Sequence, residues 1–142
     1  MDIPERINYT ARVTSTGGRG GHAISDDGSV DVILTSPSVG ADPASSTNAE
    51  ELFAAAWSAC FNDAIRQIAK SDGVDSSGSA VAVSVGFGPH EESSAISVLI
   101  EVAIPGLDLA TVQDLADHAH RICPYSKATR NNVPVEVRAI ER

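Results

Sequence analysis

Cysteine occurs only twice in this chain, at Cys60 and Cys123. Sulfur chemistry therefore has two places to happen. A cysteine reacts as thiolate, and apolar surroundings raise the pKa of a thiol. Cys60 lies near the end of the run LFAAAWSACF, in which Ser58 is the single polar residue. It sits about ten residues beyond the start of the helix this run predicts, too far to feel an N-terminal dipole that fades within one turn. A reactive Cys60 would need a nearby cation, and the candidates are Arg19, Arg121, Lys127 and Arg130. Arginine suits best, since it stays charged when buried and offers its donors in a fixed fork. A buried arginine needs a carboxylate in turn. Glu50 is the nearest acid to the apolar run, nearly three helical turns before Cys60, so Arg19 would have to bridge the gap. Taken singly, each residue has a plainer reading: Cys60 as a small core hydrophobe, Arg19 as a solvated loop residue, Glu50 as a helix cap.

A second thiol would complete a redox scheme. A peroxide converts a thiolate to sulfenic acid, and a neighbouring thiol condenses with it to a disulfide, which blocks over-oxidation. Cys123 is 63 positions after Cys60, so only the fold can bring them together. The pattern is neither CxxC nor a zinc pattern. The four histidines are scattered, His118 and His120 fall on different faces of one helix, and Asp26-Asp27 is a turn without further acids at ligand spacing. No metal site is expected.

The elements that must position these residues follow from periodicity. Residues 47–70 predict a helix, buried in its apolar first half and amphipathic in its second, with Thr47 and Glu50 as a capping box. Before it, residues 7–13 and 30–34 alternate as strands and 22–25 as a short strand, with TGGRGG between the first two as a loop. Residues 36–46, with Pro37, Gly40 and Pro43, read as a loop leading into the helix. After the helix, Val81, Val83, Val85 and Phe87 form a strand that Gly86–Pro89 ends; a turn at 91–94 and a strand over 96–104 follow. Residues 108–122 predict a second helix, with Cys123 at its end because Pro124 follows, and Val133, Val135 and Val137 predict a closing strand. Strands joined by hairpin-length turns, with helices between, predict an α+β domain of largely antiparallel sheet.

Composition bounds the function. The formal charge of −9 argues against nucleic acid and against anionic membrane. With 42% hydrophobic but 4% aromatic residues, the core is expected to be aliphatic. The first residues carry neither a basic start nor an apolar run, and no segment approaches the length of a membrane span, so a cytoplasmic location is expected. There a structural disulfide would be unusual.

The segments TNAEELFAAAWSACF, CPYSKATR and TGGR resemble the first-cysteine motif, the second-cysteine motif and the arginine loop of the organic hydroperoxide resistance (Ohr) branch of the OsmC/Ohr family, in the family's order and across essentially the whole chain. The resemblance implies one OsmC/Ohr-like domain over residues 1–142, with antiparallel sheets wrapped around long buried helices in an intertwined homodimer. It implies a thiol peroxidase acting on organic hydroperoxides, including fatty-acid ones. Cys60 would be the peroxidatic cysteine and Cys123 the resolving one. Arg19 would stabilise the thiolate and orient the peroxide, and Glu50 would hold Arg19. Phe53 and Trp57, on the Cys60 side of the helix, would wall the substrate pocket. No cofactor would be bound; a lipoylated protein would supply the reducing dithiol. Lys127 and Arg130 are expected at the surface or in a dimer contact. The chain departs from the family at Ala49, where proline is usual, which would loosen the loop that positions Glu50. It departs again at Ala56-Trp57, where Gly-Tyr is common, which would reshape the pocket wall. Competing readings of the same residues are a peroxide sensor that uses the disulfide as a switch, and a binding protein with an apolar cavity and little turnover.

Overall fold

The computed structural model describes residues 1–37 and 45–141. Residues 38–44, which include the Gly40 and Pro43 of the expected loop, lie outside the described residues. The chain forms two compact units, residues 1–52 and 53–142.

The first unit is a three-stranded antiparallel meander of β1 (Val13–Thr16), β2 (His22–Ser25) and β3 (Asp31–Ile33), followed by the first turn of α1 (Ala49–Asp72). β1 starts where the expected strand over 7–13 ends. Residues 7–12 keep the alternating pattern but have no strand partner among the described residues, and Ile3, Ile7 and Tyr9 are exposed. The β1–β2 connection is set by glycine. Gly17 sits at φ 72°, in the left-handed region. At Gly21 a Cβ would lie 1.8 Å from the Thr16 carbonyl oxygen, so no side chain fits there. Among the described residues of this unit only Ala23 and Leu34 are buried hydrophobics, and Val13, Ile24 and Ile33 face solvent. Such a sheet has little core of its own.

The second unit holds the main core. β4 (Ala80–His90) and β5 (Ser93–Ala103) form a long hairpin, and β6 (Val135–Ala139) pairs on the other side of β5. β4 runs straight through Gly86–Pro89, because an edge strand tolerates proline. α2 (Leu109–Ile122) and the short α3 (Pro124–Thr129) connect β5 to β6. β6 is parallel to β5, while the other described ladders are antiparallel, in keeping with a largely antiparallel sheet. A helical crossover between two strands of one sheet is the connection a parallel pair requires. Register follows the period of two: Val83 faces Ile100 and Val85 faces Val98 across one ladder, and Val135 and Val137 face Val98 and Ile100 across the other. These residues share one face, and against it pack Trp57, Phe61, Ile65 and Ile68 of α1 with Val112, Leu115 and Ala119 of α2.

The burial of α1 departs in part from the expected one. Trp57 and Phe61 of the apolar run are buried, and so are Ala64, Ile65, Ile68 and Ala69 of the amphipathic second half. In the apolar first half Leu52, Phe53, Ala54 and Ala56 are only partly buried, and Ala55 and Ala59 are exposed. A helix apolar all round offers more apolar surface than one sheet can cover. No described helix is long and apolar enough to cross a membrane.

Candidate functional site

The two cysteines meet within the second unit. Their sulfurs are 3.6 Å apart, and both are free thiols. A disulfide needs about 2.0 Å, so a small rotation of two side chains would close the gap. Cys60 is carried by α1 and is partly buried; Cys123 is fully buried. Cys123 ends α2, where its N–H donates to the Ala119 carbonyl at 2.8 Å. It also begins α3, where its carbonyl accepts from the Lys127 N–H at 2.9 Å. Pro124 enforces this double role. It disfavours helix at Cys123, and as the first residue of α3 it has no N–H to leave unpaired. The sequence reading places Cys123 at a helix end but misses α3, for which Pro124 is the available signal.

The Cys60 thiol is pushed up to about 11. Burial is the main cause, followed by the hydrogen bond and charge repulsion from Cys123, with Asp63 adding to it. The backbone N–H of Tyr125 pulls the other way, by hydrogen bonding to the sulfur. So raised, Cys60 is a thiol at neutral pH.

The arginine and the glutamate meet within the first unit. Arg19 lies in a 3₁₀ turn over Gly18–Gly20, and its Nη1 donates to Glu50 Oε1 at 2.6 Å. Backbone hydrogen bonds align the two. The Leu34 N–H donates to the Gly21 carbonyl at the foot of the arginine turn. One residue on, Thr35 N–H donates to the Thr47 carbonyl and Thr47 N–H to the Ile33 carbonyl. The turn and the start of α1 are thus tied to the same end of β3. Glu50 is the more buried partner, its side chain 12% exposed against 48% for Arg19. Its Oε2 is buried without a hydrogen-bond partner among the described residues. A carboxylate so placed, in the first turn of a helix, is favoured by the backbone dipole and gains from a cation held close.

The expected capping box is shifted by one residue. Asn48, not Thr47, caps α1, with Oδ1 accepting from the Glu51 N–H at 2.8 Å. Thr47 instead donates its hydroxyl to Glu51 Oε2 at 2.7 Å. The shift occupies Glu51 with capping and leaves Glu50 to Arg19.

Phe53 and Trp57 lie one turn apart in an edge-to-face contact with ring centroids 5.6 Å apart. Phe53 is partly exposed. Trp57 is fully buried, so it backs Phe53 rather than forming an accessible wall itself. Its indole Nε1 donates to Ser126 Oγ at 3.2 Å, and Ser126, which has no assigned role within the CPYSKATR motif, is also fully buried. Arg130, expected at the surface or in a dimer contact, caps α2 by donating from Nη2 to the carbonyls of His120 and Arg121 at 2.9 and 3.0 Å. Burial first, and then the charge of Arg130, push the His120 pKa down and keep it neutral beside Phe61. Among the described residues no three His, Cys, Asp or Glu side chains group to hold a metal ion.

Residues 42–138 match the OsmC-like protein family. An organic hydroperoxide resistance protein of Xanthomonas axonopodis pv. citri is 42% identical over 137 residues, 95% of this chain and 96% of its own. The crystal structure of the organic hydroperoxide resistance protein OhrB of Bacillus subtilis superposes with a TM-score of 0.85 at 39% identity, covering 93% of this chain and 98% of its own. That of an organic hydroperoxide resistance protein from Elizabethkingia anophelis, with thiocyanate bound, gives 0.86 at 36% identity, over 96% and 99%. With the whole length accounted for and the sulfur pair in place, this chain belongs to the OsmC/Ohr family, in its organic hydroperoxide resistance branch.

Proposed function

We propose that this protein confers resistance to organic hydroperoxides as a cysteine-based peroxidase that turns over with an external dithiol. The observation that carries the reading is the 3.6 Å approach of two free thiols, one partly exposed and one buried. The Cys60 thiolate attacks the distal peroxide oxygen. An S–O bond forms, the O–O bond breaks, and the alkoxide leaves and takes a proton to become the alcohol. Cys123 then attacks the sulfenic sulfur; an S–S bond forms and hydroxide leaves as water. A dithiol, of the kind a lipoylated protein carries, reduces the disulfide by exchange and is itself oxidised to a disulfide. Arg19 supplies the positive charge that favours the thiolate and orients the peroxide, and Glu50 fixes its plane. Phe53, backed by Trp57, offers an apolar surface to the alkyl part of the substrate. No bound cofactor has a step to perform. The reducing cytoplasm, where thiols persist, is the compartment this cycle suits.

The same reading includes a homodimer. A first unit with two buried hydrophobics among its described residues, an exposed alternating stretch from Ile7 and a half-covered apolar flank on α1 all call for cover, and a second copy provides it.

One equivalent of cumene hydroperoxide is expected to remove about 2 Da from the protein, mapping to a Cys60–Cys123 link. Steady consumption of peroxide with dihydrolipoamide should follow, and Cys60→Ser should abolish both. Turnover by Cys60→Ser at the parent rate overturns the proposal. A disulfide that forms without turnover assigns the protein to peroxide sensing instead.

A further inference from the structure

The indole–hydroxyl pair beside the cysteines is placed as a second contact between the same two segments. Trp57 precedes Cys60 by three residues and Ser126 follows Cys123 by three. Residues three apart on a helix share a face. α1 and α3 therefore touch through two polar pairs one turn apart: sulfur to sulfur at 3.6 Å, and Trp57 Nε1 to Ser126 Oγ at 3.2 Å. Ser126 is the only fully buried polar residue among those described, and Trp57 is wholly buried as well. A hydrogen bond in so dry a place has no water to replace it, and breaking it strands both a donor and an acceptor. It resists any slide of α3 along α1, and α3 begins at Cys123.

We propose that Trp57 and Ser126 are positioning residues for the resolving step, holding Cys123 where it captures the Cys60 sulfenic acid before a second peroxide can. The proposal rests on the peroxidase reading above. Capture is intramolecular, so its rate depends on how much of the time the second sulfur is within reach. Over-oxidation competes with it at a rate set by peroxide alone. Loosening α3 shifts the partition toward sulfinic acid.

The test uses Trp57→Phe and Ser126→Ala in the full-length protein under excess cumene hydroperoxide. Mass spectrometry measures, in one sample, the ratio of the Cys60–Cys123 disulfide to Cys60 sulfinic acid. Each variant is expected to give about tenfold more sulfinic acid per disulfide than wild type. The double variant should be no worse than either single one, because both remove the same bond. Val112→Ala, a cavity in the same core, serves as the control for mere destabilisation and should keep the wild-type ratio. Should Trp57→Phe fail to fold, Ser126→Ala, which deletes one oxygen, carries the test. A wild-type ratio in Ser126→Ala, or a shift equally large in Val112→Ala, overturns the proposal. Failure of wild type to form the disulfide at all refutes the peroxidase reading and this proposal with it; a disulfide that partitions identically in all variants refutes only this one. Trp57 is the sole tryptophan, so its fluorescence should fall when the disulfide forms beside it and recover with dithiol.

Discussion

A thiol at about 11 leaves roughly one molecule in ten thousand ionised at pH 7, too few for fast chemistry. That value already contains the pull of the Tyr125 N–H, so in the proposed mechanism the Arg19 guanidinium recovers the deficit. Alkylation of wild-type Cys60 by iodoacetamide should therefore titrate well below 11, and in Arg19→Ala the midpoint should climb toward that value. An unmoved midpoint removes Arg19 from the mechanism. The sign for stability follows. A folded value raised above the ordinary 9.0 favours the protonated thiol in the fold, so its contribution is full below pH 9 and is lost as pH rises through 11. The urea midpoint of Arg19→Ala should fall over that window more steeply than that of Arg19→Ala combined with Cys60→Ser. The two cysteines draw notice in the sequence because cysteine is rare here, whereas Arg19 and Glu50 each have a plainer reading and are picked out only by the resemblance of their segments to the family's motifs. Ser126 was not legible: a serine in a short polar-looking segment carries no sign of burial, which only the fold confers.

At the scale of elements, the start of α1 shows how a correct pattern can be read in the wrong register. Thr47 and Asn48 are both good caps, and Glu50 and Glu51 stand three residues after each, so two boxes fit the same five residues. Tertiary pairing decides between them. The Thr47 carbonyl accepts from Thr35 and its N–H donates to Ile33, which holds Thr47 extended and leaves Asn48 to open the helix. Glu50 and Glu51 should then differ in kind. Glu50→Gln should lower kcat/KM about tenfold or more with little loss of stability, since it weakens the grip on Arg19. Glu51→Gln should leave activity near the parent value, and Asn48→Ala should cost about 1 kcal/mol of stability. Equal activity losses in the two glutamine variants would restore the Thr47 box. The direction of β6 is not legible for a related reason. A five-residue alternation has no direction of its own, and the α2–α3 crossover fixes it.

For the molecule as a whole, the telling feature is where the apolar surface is left. The sequence placed an apolar half-helix at the centre, and the chain covers the other half better. Composition records how much apolar surface a chain carries, not which molecule covers it, so an interface and a core read alike in sequence. Alternation over residues 7–12 without a strand partner among the described residues is ambiguous in the same way, since a β-pattern is satisfied equally by a strand of another copy. If a second copy covers these surfaces, light scattering should return twice the chain mass at micromolar concentration. Ile7→Asp combined with Tyr9→Asp puts two charges on that stretch. It should shift the protein toward monomer on dilution and make both activity and thermal midpoint depend on protein concentration, as mass action requires of a fold completed by its partner. A wild-type protein that scatters as a monomer and stays fully active would show that the exposed residues serve something other than self-association.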